Sequence, residues 1–405
     1  MRRLAQWFWL SSHGGSSIRV KFQFAAVLLL ASLPALAQRG GQQQPMSIPL
    51  NMPRTPQSTP ERLTGTLLRL NFVELVIQAA DRRVIQMTLP ANPRLTRNSE
   101  DGRPIPVTAA AFEPGDQVTV QTQRDNQNWY HAEKLQLEAK GGAEEKTAAA
   151  QTLDDAYGTD MTTQAVFGGT GTDPVIDAAR AATVQLTRSL PNFTVHQVTT
   201  RYNSGPADLK NKGRKMDLVT ADLVTENGKE TFQNLLVNGK KPKEAPEQTG
   251  AWSSGEYSSI VIEILTPRTR TAFEAKGPET VGRRQAWRYS FSVDEARSHW
   301  ILGASGQRYL PAFNGTIWFD QETARVLKVE IMSQYIPRFF PIEKVVSSVE
   351  YDFFSLRDAS YLLPARAESI SCTRGRNGCS RNQIEFKDYR KFGAESSISF
   401  DRDPR

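Results

Sequence analysis

Several stretches near the C-terminal end of the chain alternate apolar and polar residues one by one. Trp287, Tyr289, Phe291 and Val293 alternate with Arg288, Ser290 and Ser292. Leu327, Val329 and Ile331 alternate with Lys328 and Glu330. Val345, Val349, Tyr351 and Phe353 share one parity, and Ser348, Glu350 and Asp352 the other. Ile384 and Phe386 alternate with Glu385 and Lys387. A period of two is the period of a β-strand. One apolar face per strand restricts the assembly to an antiparallel sheet covered on one side. This predicts a long curved sheet with a few helices on its concave face.

The chain has the composition to fill such a core. Of 405 residues, 39% are hydrophobic and 23% charged, which excludes global disorder. No run of about 20 apolar residues occurs, so an ordinary membrane-spanning helix is not expected. Two Cys and four His exclude a zinc ribbon, an iron–sulfur protein and a disulfide-dense scaffold.

Residues 1–37 read as a secretory signal peptide. Arg2, Arg3, Arg19 and Lys21 form a basic head without an acid; the apolar run Phe24–Ala31 follows, then Ser32-Leu33-Pro34 and Ala35-Leu36-Ala37. A basic head, a short apolar centre and a small-x-small end are the marks of export. The second reading is an N-terminal membrane anchor, which the short centre and Pro34 disfavour. Removing this segment lowers the net charge from +7 to +3, since its four cations leave with it. That residual charge is no argument for nucleic-acid binding, and none is expected. The protein is therefore expected to be periplasmic or secreted, and not integral to a membrane after signal cleavage. In an oxidising compartment Cys372 and Cys379 are expected to form a disulfide across a hairpin tip, with Asn377-Gly378 supplying turn chemistry. A redox-active pair is the sharper reading, but the spacing is not Cys-x-x-Cys.

The rest divides by composition. Residues 38–60, rich in Gln, Pro, Gly and Ser, read as a flexible linker. Residues 61–139 read as a small antiparallel β-barrel. Its strands centre on Thr66–Leu70, Val73–Ile77, Val84–Leu89, Gln117–Gln121 and Tyr130–Leu137, with turns at Asp81-Arg82-Arg83 and Phe112-Glu113-Pro114-Gly115-Asp116. The Pro-Gly-Asp before an alternating strand resembles the small OB-like barrels of secreted bacterial proteins. Trp129-Tyr130 is the only aromatic pair there, so a stacking platform for nucleic acid is not expected. Residues 140–172 read as a second linker with helical character around Glu144–Leu153. The second domain is placed at 173–400. Asp173-Pro174 is an N-cap and N1 pair before a helix whose face is Ile176, Ala179, Thr183, Leu186 and Leu190. Strands are expected at 193–199, 214–226 and 231–238, with Asn227-Gly228 as a hairpin turn. Ser253 and Glu256 have capping-box spacing before Tyr257, Ile260, Val261 and Ile264, which points to a short amphipathic helix; its β-branched content leaves a strand as the alternative. The fold class is thus β-rich α+β: a small antiparallel barrel followed by a curved antiparallel half-barrel with a few covering helices.

Residues 173–400 present a particular order of turns. Ser189-Leu190-Pro191-Asn192-Phe193 leads from helix to strand, Ser254-Gly255-Glu256-Tyr257 precedes the short helix, and Gly282-Arg283-Arg284 precedes an aromatic strand. Gly315-Thr316-Ile317-Trp318-Phe319-Asp320 then enters a turn followed by Arg325-Val326-Leu327-Lys328. This order resembles the lipoprotein-carrier half-barrel, the LolA/LolB and RseB-like fold. The resemblance implies a sheet wrapped around an apolar cavity with helices as a lid and acyl chains as guests. Trp287, Tyr289, Phe291, Trp300, Ile317, Phe319 and Phe353 are the candidates to line it, ordinary core being the other account of each. The chain departs from dedicated carriers in its preceding barrel, its two linkers and its lack of a lipidation Cys.

Catalytic signatures are missing from the sequence. It has no Gly-x-Ser-x-Gly, no phosphate-binding loop and no His-Glu-x-x-His. Gly168-Gly169-Thr170-Gly171-Thr172 matches a phosphate loop only in its glycines. His299, near Asp294 and Glu295, reads as part of a surface turn, and Asp154-Asp155 falls in the second linker without rigid support. No catalytic residue, metal or cofactor is therefore expected. The expectation is a non-catalytic envelope protein that binds a lipid, an acyl chain or a lipidated protein. The alternative is a protein-interaction or sensing module with an envelope partner and no small ligand.

Overall fold

A computed structural model describes residues 59–392, apart from 72, 91, 126–127, 158–172, 205–212, 227–228, 244–249, 252–258, 357–358 and 376–377. The signal segment, most of the first linker, the glycine run 168–172, the capping box at Ser253–Glu256 and the Asn227-Gly228 turn lie outside or largely outside the described residues, as does Asn377.

Seven strands form the barrel: β1 (Glu61–Leu70), β2 (Glu74–Ala79), β3 (Val84–Thr88), β4 (Arg94–Asn98), β5 (Pro104–Pro106), β6 (Gln117–Arg124) and β7 (Tyr130–Ala139). Neighbours β1, β2, β3, β6 and most of β7 pair antiparallel. Parallel pairing of β7 with β3, at Met87 and Tyr130, closes the sheet, and β7 also takes β4 in parallel. β4 and β5 carry little periodicity and were not legible as strands. The interior is packed by Leu67, Leu75, Ile77, Ile85, Val120 and Tyr130, among others. β2 is buried along nearly its whole length, Glu74 included. The reason is helix α1 (Ala143–Tyr157), which covers the outer face by packing Ala149 and Ala156 on Leu68, Val76 and Val84. The helical stretch expected within residues 140–172 is thus four turns long and packed against the barrel.

Beyond 172 the chain builds a ten-stranded sheet, preceded by α2 (Pro174–Ser189) and interrupted by α3 (Ser259–Leu265). In chain order the strands are β8 (Phe193–Ser204), β9 (Arg214–Glu226), β10 (Lys229–Val237), β11 (Ala272–Val281), β12 (Arg284–Val293), β15 (Ala312–Asp320), β16 (Val326–Gln334), β17 (Ile342–Leu356), β18 (Ala359–Thr373) and β19 (Gly378–Lys391). Their spatial order is β10-β9-β8-β19-β18-β17-β16-β15-β12-β11, all antiparallel. The last strand therefore returns to lie beside the first.

The α2 cap is the one its sequence predicts. Asp173 accepts from the backbone N–H groups of Val175 (2.9 Å) and Ile176 (3.3 Å), with Pro174 at the first helical position. Residues 259–265 form a helix and not a strand: it contributes Val261, Ile264 and Leu265 to one core with α2 and the sheet. The Asp320 turn is fastened by its own carboxylate, which accepts from the Thr323 N–H (2.8 Å) and hydroxyl (2.8 Å) and pairs with Arg284. Cys372 and Cys379 face each other across β18 and β19 and are bonded.

One element follows no sequence expectation. The hairpin β13 (Leu302–Ala304) and β14 (Gln307–Tyr309) leaves the ten-stranded sheet and joins the barrel's sheet, pairing Gln307 with Ile85 and Arg308 with Val84. Arg83, 4% exposed, fastens this junction. Its guanidinium donates to Asp81 (2.7 Å), to the side-chain oxygen of Gln307 (2.7 Å) and to the carbonyl of Phe339 (3.3 Å). No helix among the described residues is long and apolar enough to cross a membrane.

Candidate functional site

The covered face of the ten-stranded sheet is the candidate site, and its register explains its character. In antiparallel pairing, directly opposed residues share a face. Following the pairs across eight strands gives the row Tyr289–Ile317–Val329–Val349–Ala367–Ile384–Thr199–Val219. Every member but Thr199 is an aromatic or aliphatic side chain, and all are buried. Two residues along, the row Phe291–Gly315–Ile331–Ser347–Ser369–Asn382–Arg201–Asp217 changes from apolar to polar as it crosses the sheet. Gly315 is required where this row begins. A Cβ there would stand 1.8 Å from the Glu330 carbonyl oxygen and 2.9 Å from the Phe291 ring.

The apolar part is an aromatic cluster. Tyr289 meets Phe319 edge-on with ring centroids 5.7 Å apart, Phe291 meets Phe313 at 6.2 Å, and Trp300 meets Phe313 at 5.5 Å. The Tyr289 hydroxyl donates to the Asp173 carboxylate (3.0 Å), the same group that caps α2. Burial, and next the Asp173 carboxylate, push this hydroxyl up to about 12. One residue thus ties the covering helix to the aromatic end of the sheet.

The polar part is equally defined. Arg201, 2% exposed, grips Asp217 through two bonds of 2.7 and 2.6 Å. Asn382, 1% exposed, donates to the Ala251 carbonyl (2.9 Å), while its own side-chain oxygen has no partner. The side-chain oxygen of Gln197, four residues from Arg201 on the same strand face, is also buried without a partner. Buried polar atoms of this kind are exceptions in folded proteins. This polar wall was not anticipated. Asn382 is far in sequence from Arg201 and Asp217, and only the strand register joins the three.

The seven candidate residues are distributed as follows. Tyr289, Phe291, Ile317 and Phe319 meet in the core between sheet and helices, with Trp300 packed against it. Trp287 pairs with Phe319 on the same face but remains 38% exposed. Phe353 goes elsewhere: it packs against the cluster of Ala286, Trp318, Leu327 and Leu362, with the Arg284 guanidinium 5.0 Å from its ring. The shift of register at Glu350/Tyr351 on β17 lies between Val349 and Phe353, and a bulge moves the side chains beyond it to the other face.

His299 and Asp155 need correction. His299 is not part of a surface turn: its ring is mostly buried, with Nδ1 3.3 Å from Glu263 on α3 and Nε2 3.9 Å from Asp155 on α1. The His299 backbone N–H also donates to Glu263 (2.6 Å). Asp155 is held on a packed helix and lies 3.8 Å from Arg268. The Glu263 carboxylate, 2% exposed, lifts the imidazole above its ordinary value, against the opposing effect of burial. Glu263 gave no signal in the sequence, where it reads as one acid in an apolar helix. Among the described residues no group of three or more His, Cys, Asp or Glu could hold a metal ion.

No family model matches the chain. No curated protein matches it either. Solved structures do. A LolA superfamily protein from Nitrosomonas europaea matches at 11% identity, covering 53% of this chain and 94% of that one, with a TM-score of 0.28. A DUF1329 family protein from Desulfovibrio piger matches at 10% identity over 56% and 96%, with a TM-score of 0.30. The Mycobacterium tuberculosis lipoprotein LppX matches at 12% identity over 54% and 96%, with a TM-score of 0.21. The first of these proteins belongs to the family that the turns of residues 173–400 resemble. Likeness at these scores says nothing of what the chain binds.

Proposed function

We propose that the protein is a non-catalytic binding protein of the bacterial envelope that holds a lipid or acyl chain against the concave face of its half-barrel. The observation that carries this reading is the composition of that face. An apolar row crosses eight strands, and at its aromatic end Trp287 shares the face with Phe319 yet stays 38% exposed. A large indole left open at the rim of an apolar wall is suited to meet a hydrocarbon chain. Burying that chain supplies about 25 cal/mol per Å² before ordering costs. The basic and apolar N-terminal segment supports an address in the periplasm or outside the cell.

A second reading is a protein-interaction module whose core is filled by its own side chains. The near-zero exposure of Ile264, Leu265, Ile317 and Phe319 favours it. One experiment separates the two. An organic extract of the purified protein is examined by mass spectrometry, and a fluorescent fatty acid is titrated into the stripped protein. Acyl chains in the extract, with saturable uptake that weakens in W287A, are expected. An empty extract together with no uptake would sink the lipid reading and leave the interaction module.

A further inference from the structure

The most exposed large apolar side chains among the described residues include two on one short loop. Between β16 and β17 runs Tyr335-Ile336-Pro337-Arg338-Phe339-Phe340-Pro341; Tyr335 is 86% exposed and Phe339 62%. Arg338 between them is exposed as well. Such exposure would be ordinary on a slack loop, but this one is anchored throughout. Phe340 is fully buried against Tyr309, Leu302 and Val345. The Tyr309 hydroxyl donates to the Tyr335 carbonyl (3.2 Å), and the backbone N–H of Arg374 donates to the Pro341 carbonyl (2.8 Å). Arg83 donates to the Phe339 carbonyl and lies 5.7 Å from its ring. Tyr335 also sits at φ 52°, in the left-handed region that a bulky side chain occupies at a cost. The fold thus spends its contacts on the loop's backbone and on Phe340, and holds Tyr335, Arg338 and Phe339 out into water.

We infer that this loop is a docking surface for an anionic phospholipid bilayer. The chemistry of the display selects the partner. The tyrosine ring is suited to the headgroup level, where an apolar body and a polar tip are both satisfied, and the phenylalanine ring to the headgroup/acyl boundary just beneath it. Arg338, together with the exposed Arg374 of the neighbouring hairpin, matches a negatively charged lipid surface, with Glu343 the one exposed acid at the loop's end. The shape is set before binding, so little ordering cost opposes it. Attachment is peripheral, and it does not depend on whether the half-barrel carries a lipid.

Both native cysteines are joined to each other, so F339C introduces the one free thiol of the chain. The test labels this thiol in the full chain with nitrobenzoxadiazole and adds phosphatidylcholine vesicles with and without phosphatidylglycerol. E100C, labelled alike, is the control: Glu100 is exposed in the turn between β4 and β5, at the other end of the nine-strand order. A blue shift at position 339 that needs phosphatidylglycerol and fades with added salt is expected, with none at position 100. In the same background, Y335S with R338S should weaken the response about tenfold, and both positions are exposed enough to leave folding intact. Equal responses at 339 and 100, or vesicle binding untouched by the double substitution, would overturn the inference. Fatty-acid uptake is measured in parallel. Loss of docking with normal uptake defeats this inference alone, and docking without uptake defeats only the lipid-carrying reading.

Discussion

The barrel and the half-barrel solve one problem in two ways. Each begins from strands with an apolar face that must leave water. The barrel closes its sheet through β3 and β7 and fills the inside with its own side chains, so its helix α1 covers an outer face. The ten-stranded sheet does not close in this way, and α2 and α3 must cover the face that closure would have hidden. A closed sheet has little interior to offer. A sheet covered by two helices keeps a face whose cover belongs to separate elements. Among the joins between the two are the β14–β3 pairing fastened by Arg83, and the node where His299 meets Glu263 of α3 and Asp155 of α1.

Breaking the first join should have the largest effect. R83A removes three charged hydrogen bonds from a buried site and leaves Gln307 without its donor, at a cost of about 3 kcal/mol. Calorimetry should show the wild-type transition split into two, with barrel and half-barrel melting apart. A single transition merely shifted downward would mean that the remaining joins, the His299 node among them, still couple the two parts.

The second join should respond to pH. The folded value of His299 is raised above its ordinary 6.5, so the stability it contributes is complete below that value and is lost as pH climbs through the raised one. The groups that face it are Glu263, Asp155 and Arg268. The wild-type melting midpoint should therefore fall relative to that of H299Q as pH climbs above 6.5 and through the raised value. Parallel pH profiles for the two proteins would show that the imidazole takes no part.

The smallest effect sharpens the comparison at the helical cover itself. D173A removes the N-cap of α2 and should cost about 1 kcal/mol. It also takes the carboxylate from Tyr289, whose ionisation should then move down from about 12 in a spectrophotometric titration. An unmoved tyrosine would mean that α2 does not rest on the sheet through this contact.

How much of this was legible varied with the range of the interaction. The alternation of Trp287, Tyr289, Phe291 and Val293 placed β12, and Asp173-Pro174 placed the start of α2, because both signals are local. The disulfide was legible because seven residues separate its partners. Phe353 was assigned to the wrong cluster because a bulge lies before it, and a bulge leaves no trace in periodicity. The polar wall of Arg201, Asp217 and Asn382 was invisible for a related reason: none of its members is notable until strand register makes them neighbours.

The sequence by itself determined the strongly alternating strands, most of their apolar faces and the capped helix, since periodicity and turn chemistry act over a few residues. Tertiary structure decided where the faces meet. It sent Gln307 to Arg83, 224 residues away, turned His299 from a turn residue into a buried node, and chose Phe340 to be buried while Phe339 beside it faces water. Such choices depend on pairing free energies between segments far apart in the chain, and no local pattern encodes them.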